Sequence, residues 1–230
     1  MASSVKNSAI AIIPARGGSK RLPRKNILNF CGKPMILYSV ESAIASGCFQ
    51  EVIVSTEDPE IAAVVKSSGC TIHQRPVEIA SDTARVNDVI KSVLSSRDLS
   101  HEYLCCLYAT SPLRTANDIQ NSFEELCRSN SDACWSVSEY SKSPFYAYNL
   151  SSTGAIQARW PDLRDLPNHE KPAVVHDNGS IYWSRVDSFL KNNDLYGAVT
   201  TSYLMPLSRS VDIDTQGDFD LAEMYANKKT

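Results

Sequence analysis

The sequence lacks any run of about 18 apolar residues, so no segment reads as a membrane span. It has no CxxC pair, and its four histidines form no HExxH or similar spacing, which removes the usual zinc ligand sets. A GxGxxG fingerprint is missing, which disfavours hydride transfer to a dinucleotide. Walker A fails too: the one Gly-Lys pair is Gly32-Lys33-Pro34, with Ile27 where the first glycine belongs. Excess positive charge is also absent, and a net charge of −3 argues against a general nucleic-acid-binding surface. Repeats and low-complexity tracts do not occur. Met1 to Asn7 is short and polar, has no apolar secretory core and reads as a frayed end; a cytoplasmic protein is expected. The seven cysteines are odd in number. They read as small buried hydrophobes in a reducing compartment, Cys105 and Cys106 above all because they sit inside an apolar run.

What is present suits a single domain spanning residues 1–230, with one good-sized core. Short apolar runs predict strands over 9–13, 51–56, 70–73, 103–108 and 133–137. Helical spacing predicts helices over 35–45 (stopped by Gly47), 59–68, 86–94 and 116–128. This alternation implies an α/β fold, Rossmann-like, with a mostly parallel sheet sandwiched by helices. Ligands of such sheets sit at the carboxyl ends of the strands. The rhythm breaks over 141–171, which holds Pro144, Pro161 and Pro167 and reads as a small irregular or antiparallel excursion. Strands return over 179–184 and 198–204, then a last helix over 217–226.

The densest chemistry follows the first strand, in Ile13 to Asn26, IPARGGSKRLPRKN. Five of the ten residues from Arg16 to Lys25 are basic, and without them the net charge would fall from −3 to −8. Gly17 and Gly18 would let the backbone approach a ligand and present N–H groups. Cations on a glycine-bearing loop after a strand suit a triphosphate better than they suit a solvated turn. A second group is Ser208 to Asp214, SRSVDID. In an extended segment Asp212 and Asp214 point the same way, and two hard carboxylates can share Mg²⁺ with phosphate oxygens. Asp218 and Asp220 read as acids in the first turn of the last helix. Arg75-Pro76 with Ser81-Asp82-Thr83, and Thr110-Ser111-Pro112-Leu113-Arg114, fall at strand ends. Either group reads as ligand contacts or as turns and helix caps, with Asp82 or Thr115 as the cap. Asn178-Gly179-Ser180 reads as a turn before an aromatic strand.

These segments resemble one family. IPARGGSKRLPRKN, CGKPMI, EVIVSTEDPEIA, RPVEIASDT, TSPLRT, NGSIYW and SRSVDIDT occur in the order found in acylneuraminate cytidylyltransferases, over nearly the whole chain. The resemblance implies an enzyme that joins CMP from CTP to the C2 hydroxyl of a nine-carbon 2-keto sugar acid, releasing pyrophosphate. It implies Mg²⁺, with Mn²⁺ as an alternative, and a homodimer in which 141–171 contributes to the interface. Arg16, Lys20, Lys25 and Asn26 would bind the triphosphate, with Ala15 and Gly17 in the same loop. Asp212 and Asp214 would hold the metal. Arg75 and Ser81 would lie near the nucleotide, Tyr108 beside the sugar, and Arg164 near the sugar carboxylate in its own or the neighbouring site. Tyr108 stands where CMP-sialic acid synthetases carry Gln. LYATSPLR and Arg21 look more like pseudaminic acid enzymes, whereas NGSIYW and SPLRT look more like sialic and legionaminic acid enzymes. Other readings are a 3-deoxy-manno-octulosonate or sugar-1-phosphate nucleotidyltransferase, and a catalytically silent nucleotide- or sugar-sensing module on the same fold.

Overall fold

Ala9–Pro14 is apolar along its whole length, and a strand with no polar face needs cover on both sides. In the computed structural model, which describes residues 8–81, 83–97 and 101–228, it lies inside a seven-stranded sheet. In chain order the strands are β1 (Ala9–Pro14), β2 (Asn29–Phe30), β3 (Lys33–Pro34), β4 (Glu51–Thr56), β5 (Thr71–Gln74), β6 (Tyr103–Leu107), β7 (Ala133–Glu139), β8 (Tyr148–Leu150), β9 (Ile156–Ala158), β10 (Val175–Arg185) and β11 (Thr200–Leu204). The main sheet has the order β11-β7-β10-β6-β1-β4-β5. β1 pairs in parallel with β4 and β6, β4 with β5, and β7 with β11, whereas β10 is antiparallel to both neighbours.

Period-two alternation divides the core between the two faces. Ala9, Ala11 and Ile13 point to one side, where α1 (Met35–Ser46), α2 (Pro59–Val65) and α4 (Ala116–Ser129) cover them. Ile10 and Ile12 point to the other, under α3 (Val86–Ser95) and α6 (Val186–Asn192). Their caps follow from local sequence. Asp58 accepts the Glu60 and Ile61 N–H groups at the start of α2, and Thr115 with Asp118 forms a capping box on α4. Gly47, at φ 62, ends α1 in the left-handed conformation that glycine adopts without strain. Asp82, the other expected cap, lies outside the described residues, as do Met1 to Asn7. A third apolar cluster joins Leu22, Phe30 and Leu113 to Val211, Ile213 and α7 (Gln216–Asn227).

Two expectations need correction, and one helix had no counterpart in the sequence reading. The helix after β4 ends at Val65 rather than 68, because its last turn tightens before Gly69, which takes φ 84. Asn178-Gly179-Ser180 is not a turn before a strand but a bulge inside β10, where the register with β7 shifts between Asp177 and Tyr182. α6, only seven residues long, had no strong periodicity to announce it. The excursion holds the antiparallel hairpin β8–β9 and the short α5 (Pro161–Asp165). Four of the cysteines are buried, as expected, but Cys31 and Cys127 are exposed; all seven are free thiols.

Candidate active site

β1 ends at Pro14, and the chain that follows is held down residue by residue. The Ala15 N–H donates to the Ser55 carbonyl at 3.0 Å, and Gly17 N–H to Glu57 Oε1 at 2.8 Å. Asn26, buried, donates from Nδ2 to the Arg16 carbonyl at 2.9 Å and closes the loop on itself. Leu22 and Leu28 pack into the third apolar cluster. The result is a rim of cations around a cavity of ≈ 360 Å³ at the carboxyl ends of β1 and β6. Arg16, Lys20, Arg21, Lys25, Asn26, Arg75, Ser81, Tyr108 and Asp214 line it. Among the described lining residues Asp214 is the one carboxylate, so the cavity is built for an anion.

Arg75 is buried, and its Nη2 donates to the Ser55 carbonyl at 2.7 Å. Burial lowers its pKa, but the guanidinium stays charged at any physiological pH. Asp214 accepts from Lys25 Nζ at 2.6 Å and from Arg21 Nη2 at 2.7 Å. Burial pushes its carboxyl up, but these two cations outweigh that and hold it below the usual carboxylate range.

Val211 and Ile213 turn into the third apolar cluster, so Asp212 and Asp214 face the opposite way, as the SRSVDID alternation implied. The two carboxylates nevertheless line different spaces. Asp212 borders a second cavity of ≈ 370 Å³, with Tyr108, His176, Asp177, Gly179 and Tyr182. Tyr108 is common to both cavities. Asp212 accepts from the Thr110 hydroxyl and lies against Gly179, where a Cβ would come within 2.6 Å of its Oδ2. Burial, with Asp214 close by, pushes its carboxyl up to about 6 against the opposing Thr110 hydrogen bond.

Two ties hold this acidic segment in place. The Ile213 N–H donates to the Thr110 carbonyl at 2.9 Å. Arg209 clamps the buried Asp118 of α4 with two bonds, at 3.0 and 2.7 Å.

The structure corrects parts of the expected site. Ala15 and Gly17 do not line the cavity. Ala15 is fully buried under the loop, and Gly17 spends its N–H on Glu57. What Gly17 accommodates is the Asp58 carboxylate, which would lie 2.1 Å from an added Cβ. Arg164 is not brought to either cavity of its own chain. It sits on α5, pairs with its neighbour Asp165 at 2.8 Å and packs within the excursion. Thr110, Gly179, Tyr182 and Arg209 were missed as individual site residues. All lie in segments that the sequence singled out, but their roles come from partners far along the chain.

Among the described residues no group of three or more His, Cys, Asp or Glu side chains is gathered to cage a metal. Two neighbouring carboxylates beside an anion-binding rim still fit Mg²⁺, which keeps waters and takes further ligands from phosphates.

A cation-rimmed cavity at the strand ends of such a sheet, with Asp214 at its border and Asp212 in the adjoining cavity, belongs to a nucleotidyltransferase. The chain matches the family model described as Cytidylyltransferase over residues 10–219, and it belongs to that family. It is 31% identical over 220 residues to a pseudaminic acid cytidylyltransferase of Campylobacter jejuni subsp. jejuni, covering 94% of each chain. It is 33% identical over 225 residues to a CMP-N,N'-diacetyllegionaminic acid synthase of Legionella pneumophila subsp. pneumophila, covering 93% of this chain and 94% of that one. Its fold matches that of a CMP:2-keto-3-deoxy-manno-octonic acid synthetase complexed with CTP, with a TM-score of 0.74 at 19% identity over 96% of this chain and 99% of that one. Among the described residues no helix is long and apolar enough to cross a membrane.

Proposed function

We propose that this enzyme transfers CMP from CTP to the C2 hydroxyl of a nonulosonic acid, a nine-carbon 2-keto sugar acid of the sialic type. The observation that carries the reading is the pair of cavities meeting at Tyr108, one rimmed by cations and one backed by Asp212. The relatives named above act on such sugars and support the choice of acceptor. The sugar hydroxyl oxygen attacks the α-phosphorus in line, a new P–O bond forms, the bond to pyrophosphate breaks, and the hydroxyl proton passes to solvent. Arg16, Lys20 and Lys25 neutralise charge on the β- and γ-phosphates, and Asn26 keeps their loop closed. Mg²⁺ on Asp212 and Asp214, with Mn²⁺ as the alternative, would supply Lewis-acid polarisation of the phosphate. The protein's share is placement and charge, and no side chain is assigned as general base. Cytoplasm, which holds CTP, is the proposed compartment.

The direct test is pyrophosphate release with CTP and Mg²⁺, run across sialic, legionaminic and pseudaminic acids and 3-deoxy-manno-octulosonate. Turnover with the eight-carbon acid alone would replace the acceptor. Silence with all four would favour a sensing module.

Nucleotide choice gives a second check. A pocket built for cytosine excludes purines by size, so calorimetry is expected to show CTP binding at least tenfold tighter than ATP or GTP, about 1.4 kcal/mol or more, with UTP in between. Equal affinity for ATP would refute the cytidylyl assignment.

The homodimer belongs to the same proposal. Tyr148, Leu150 and Ile156 are exposed on a two-stranded hairpin that has little core of its own, and exposed Tyr146 and Trp160 flank it. Such a hairpin is marginal alone, and an apolar surface of this kind gains from a partner. Light scattering at micromolar concentration is expected to give twice the 25.4 kDa chain mass. A monomer mass would overturn the interface.

A further inference from the structure

Arg114 is 3% exposed and has no ion-pair partner among the described residues. Burial pushes its pKa down to about 10, which still leaves it charged at neutral pH. A buried charge with no acid at ion-pair distance is costly even with Asp118, itself paired with Arg209, in electrostatic range, and an apolar side chain of similar volume would be better tolerated on stability grounds alone. What the guanidinium does is join two walls. Nη1 donates to the Ser180 carbonyl at 2.8 Å and lies 3.2 Å from the Ser180 hydroxyl. Nη2 donates to Ser39 Oγ at 2.7 Å, and Ser39 Oγ donates in turn to the Tyr108 carbonyl at 3.1 Å. Both Nη atoms also lie 3.4 Å from the Tyr108 carbonyl, while Nε has no hydrogen-bond partner among the described residues. Tyr108 is the wall that the two cavities share, and Ser180 belongs to the β10 bulge whose Gly179 abuts Asp212.

We infer that Arg114 is a positioning residue for the transfer, a buried fork that fixes the Tyr108 wall against the β10 bulge and so sets how the nucleotide and acceptor spaces face each other. This rests on the proposed CMP transfer. Its effect falls on alignment of the two reactants rather than on either binding site, since the guanidinium touches neither cavity. Misplacement of reacting atoms by a fraction of an ångström lowers the rate without loosening the substrates.

Arg114→Met keeps the volume and removes fork and charge, and Arg114→Lys keeps the charge and removes the fork. With folding confirmed by circular dichroism, kcat is expected to fall about 100-fold for the Met variant and about tenfold for the Lys variant. The Kd for CTP by calorimetry and the KM for the acceptor should stay within about threefold of wild type. A folded Arg114→Met enzyme with kcat near wild type, or a loss carried wholly by Kd and KM, overturns the inference. If Arg114→Met does not fold, Ser39→Ala takes its place. That variant removes one arm of the fork, and kcat is expected to drop several-fold at an unchanged melting temperature; an unchanged kcat overturns the inference. The wild-type enzyme in the same assay separates the two levels. No wild-type turnover with any acceptor fells the proposed function and this inference together, whereas wild-type turnover with insensitive variants fells this inference alone.

Discussion

Asp212→Asn is expected to cripple transfer and yet raise the melting temperature of the nucleotide-free protein. The loss of activity follows from removing one of the two carboxylates proposed to hold the metal between the two cavities, on the order of 2–4 kcal/mol of transition-state stabilisation, or roughly 30- to 1000-fold. The gain in stability follows from the pKa. Burial and nearby Asp214 raise the Asp212 carboxyl to about 6 in the folded protein, above the value of about 3.9 for an unfolded aspartate. The native state therefore binds more protons between about pH 4 and pH 6, and stability from this group is present below that window and lost as pH rises through it. At neutral pH the ionised carboxylate works against folding. Asparagine removes the charge and keeps an acceptor for the Thr110 hydroxyl. The expected gain near pH 7 is on the order of 1–3 kcal/mol, or several degrees in Tm for a chain of this size, shrinking toward zero near pH 4. Thermal melts in EDTA across that range, paired with turnover assays, check both halves. An Asp212→Asn protein that turns over like wild type, or that melts lower than wild type at neutral pH, would defeat this account of the site.

Lys25→Ala and Lys20→Ala should each cripple catalysis, whereas their neighbour Arg24 should be nearly dispensable for it. Lys25 and Lys20 line the cavity, Lys25 with its ammonium 2.6 Å from Asp214. Loss of one charge-assisted phosphate contact costs about 2–4 kcal/mol, so kcat/KM should fall by roughly 30- to 1000-fold. Arg24 lies outside the cavity. Its backbone is left-handed, with φ 56, and its side chain turns to the Asp58 and Glu60 carboxylates at the start of α2. Arg24→Ala should lower Tm by freeing the Asp58 cap while leaving kcat/KM within about threefold. Steady-state kinetics and melts on the three variants test the contrast. A crippled Arg24→Ala beside two active lysine variants would show that the loop meets its ligand in another register.

The buried strand over 9–13, Thr115 as a helix cap, Asp218 in the first turn of the last helix and the Val211–Asp214 pattern were all readable in the sequence. Each is a local rule: side chains alternate along a strand, and a cap needs a residue three positions on. The order of motifs also pointed to the reaction, because the cations and acids of the site lie in short, dense segments. Where each charge ends was not local. Arg24 and Lys25 are adjacent in the chain, but one meets an acid 34 residues away and the other an acid 189 residues away. Arg164, expected near the sugar carboxylate in its own or the neighbouring site, lies on α5 away from both cavities of its own chain.

Sequence by itself therefore determined the two-faced core strands, the helix caps, the concentration of cations after the first strand and the paired acids near the end. Tertiary structure alone decided that β10 enters antiparallel between β6 and β7, that its bulge backs Asp212, and that Arg114 ties that bulge to Tyr108. The physical reason is range. Periodicity and capping are written within a few residues, while register, burial and the partner of a charge are set by segments that meet only when the sheet closes over its core.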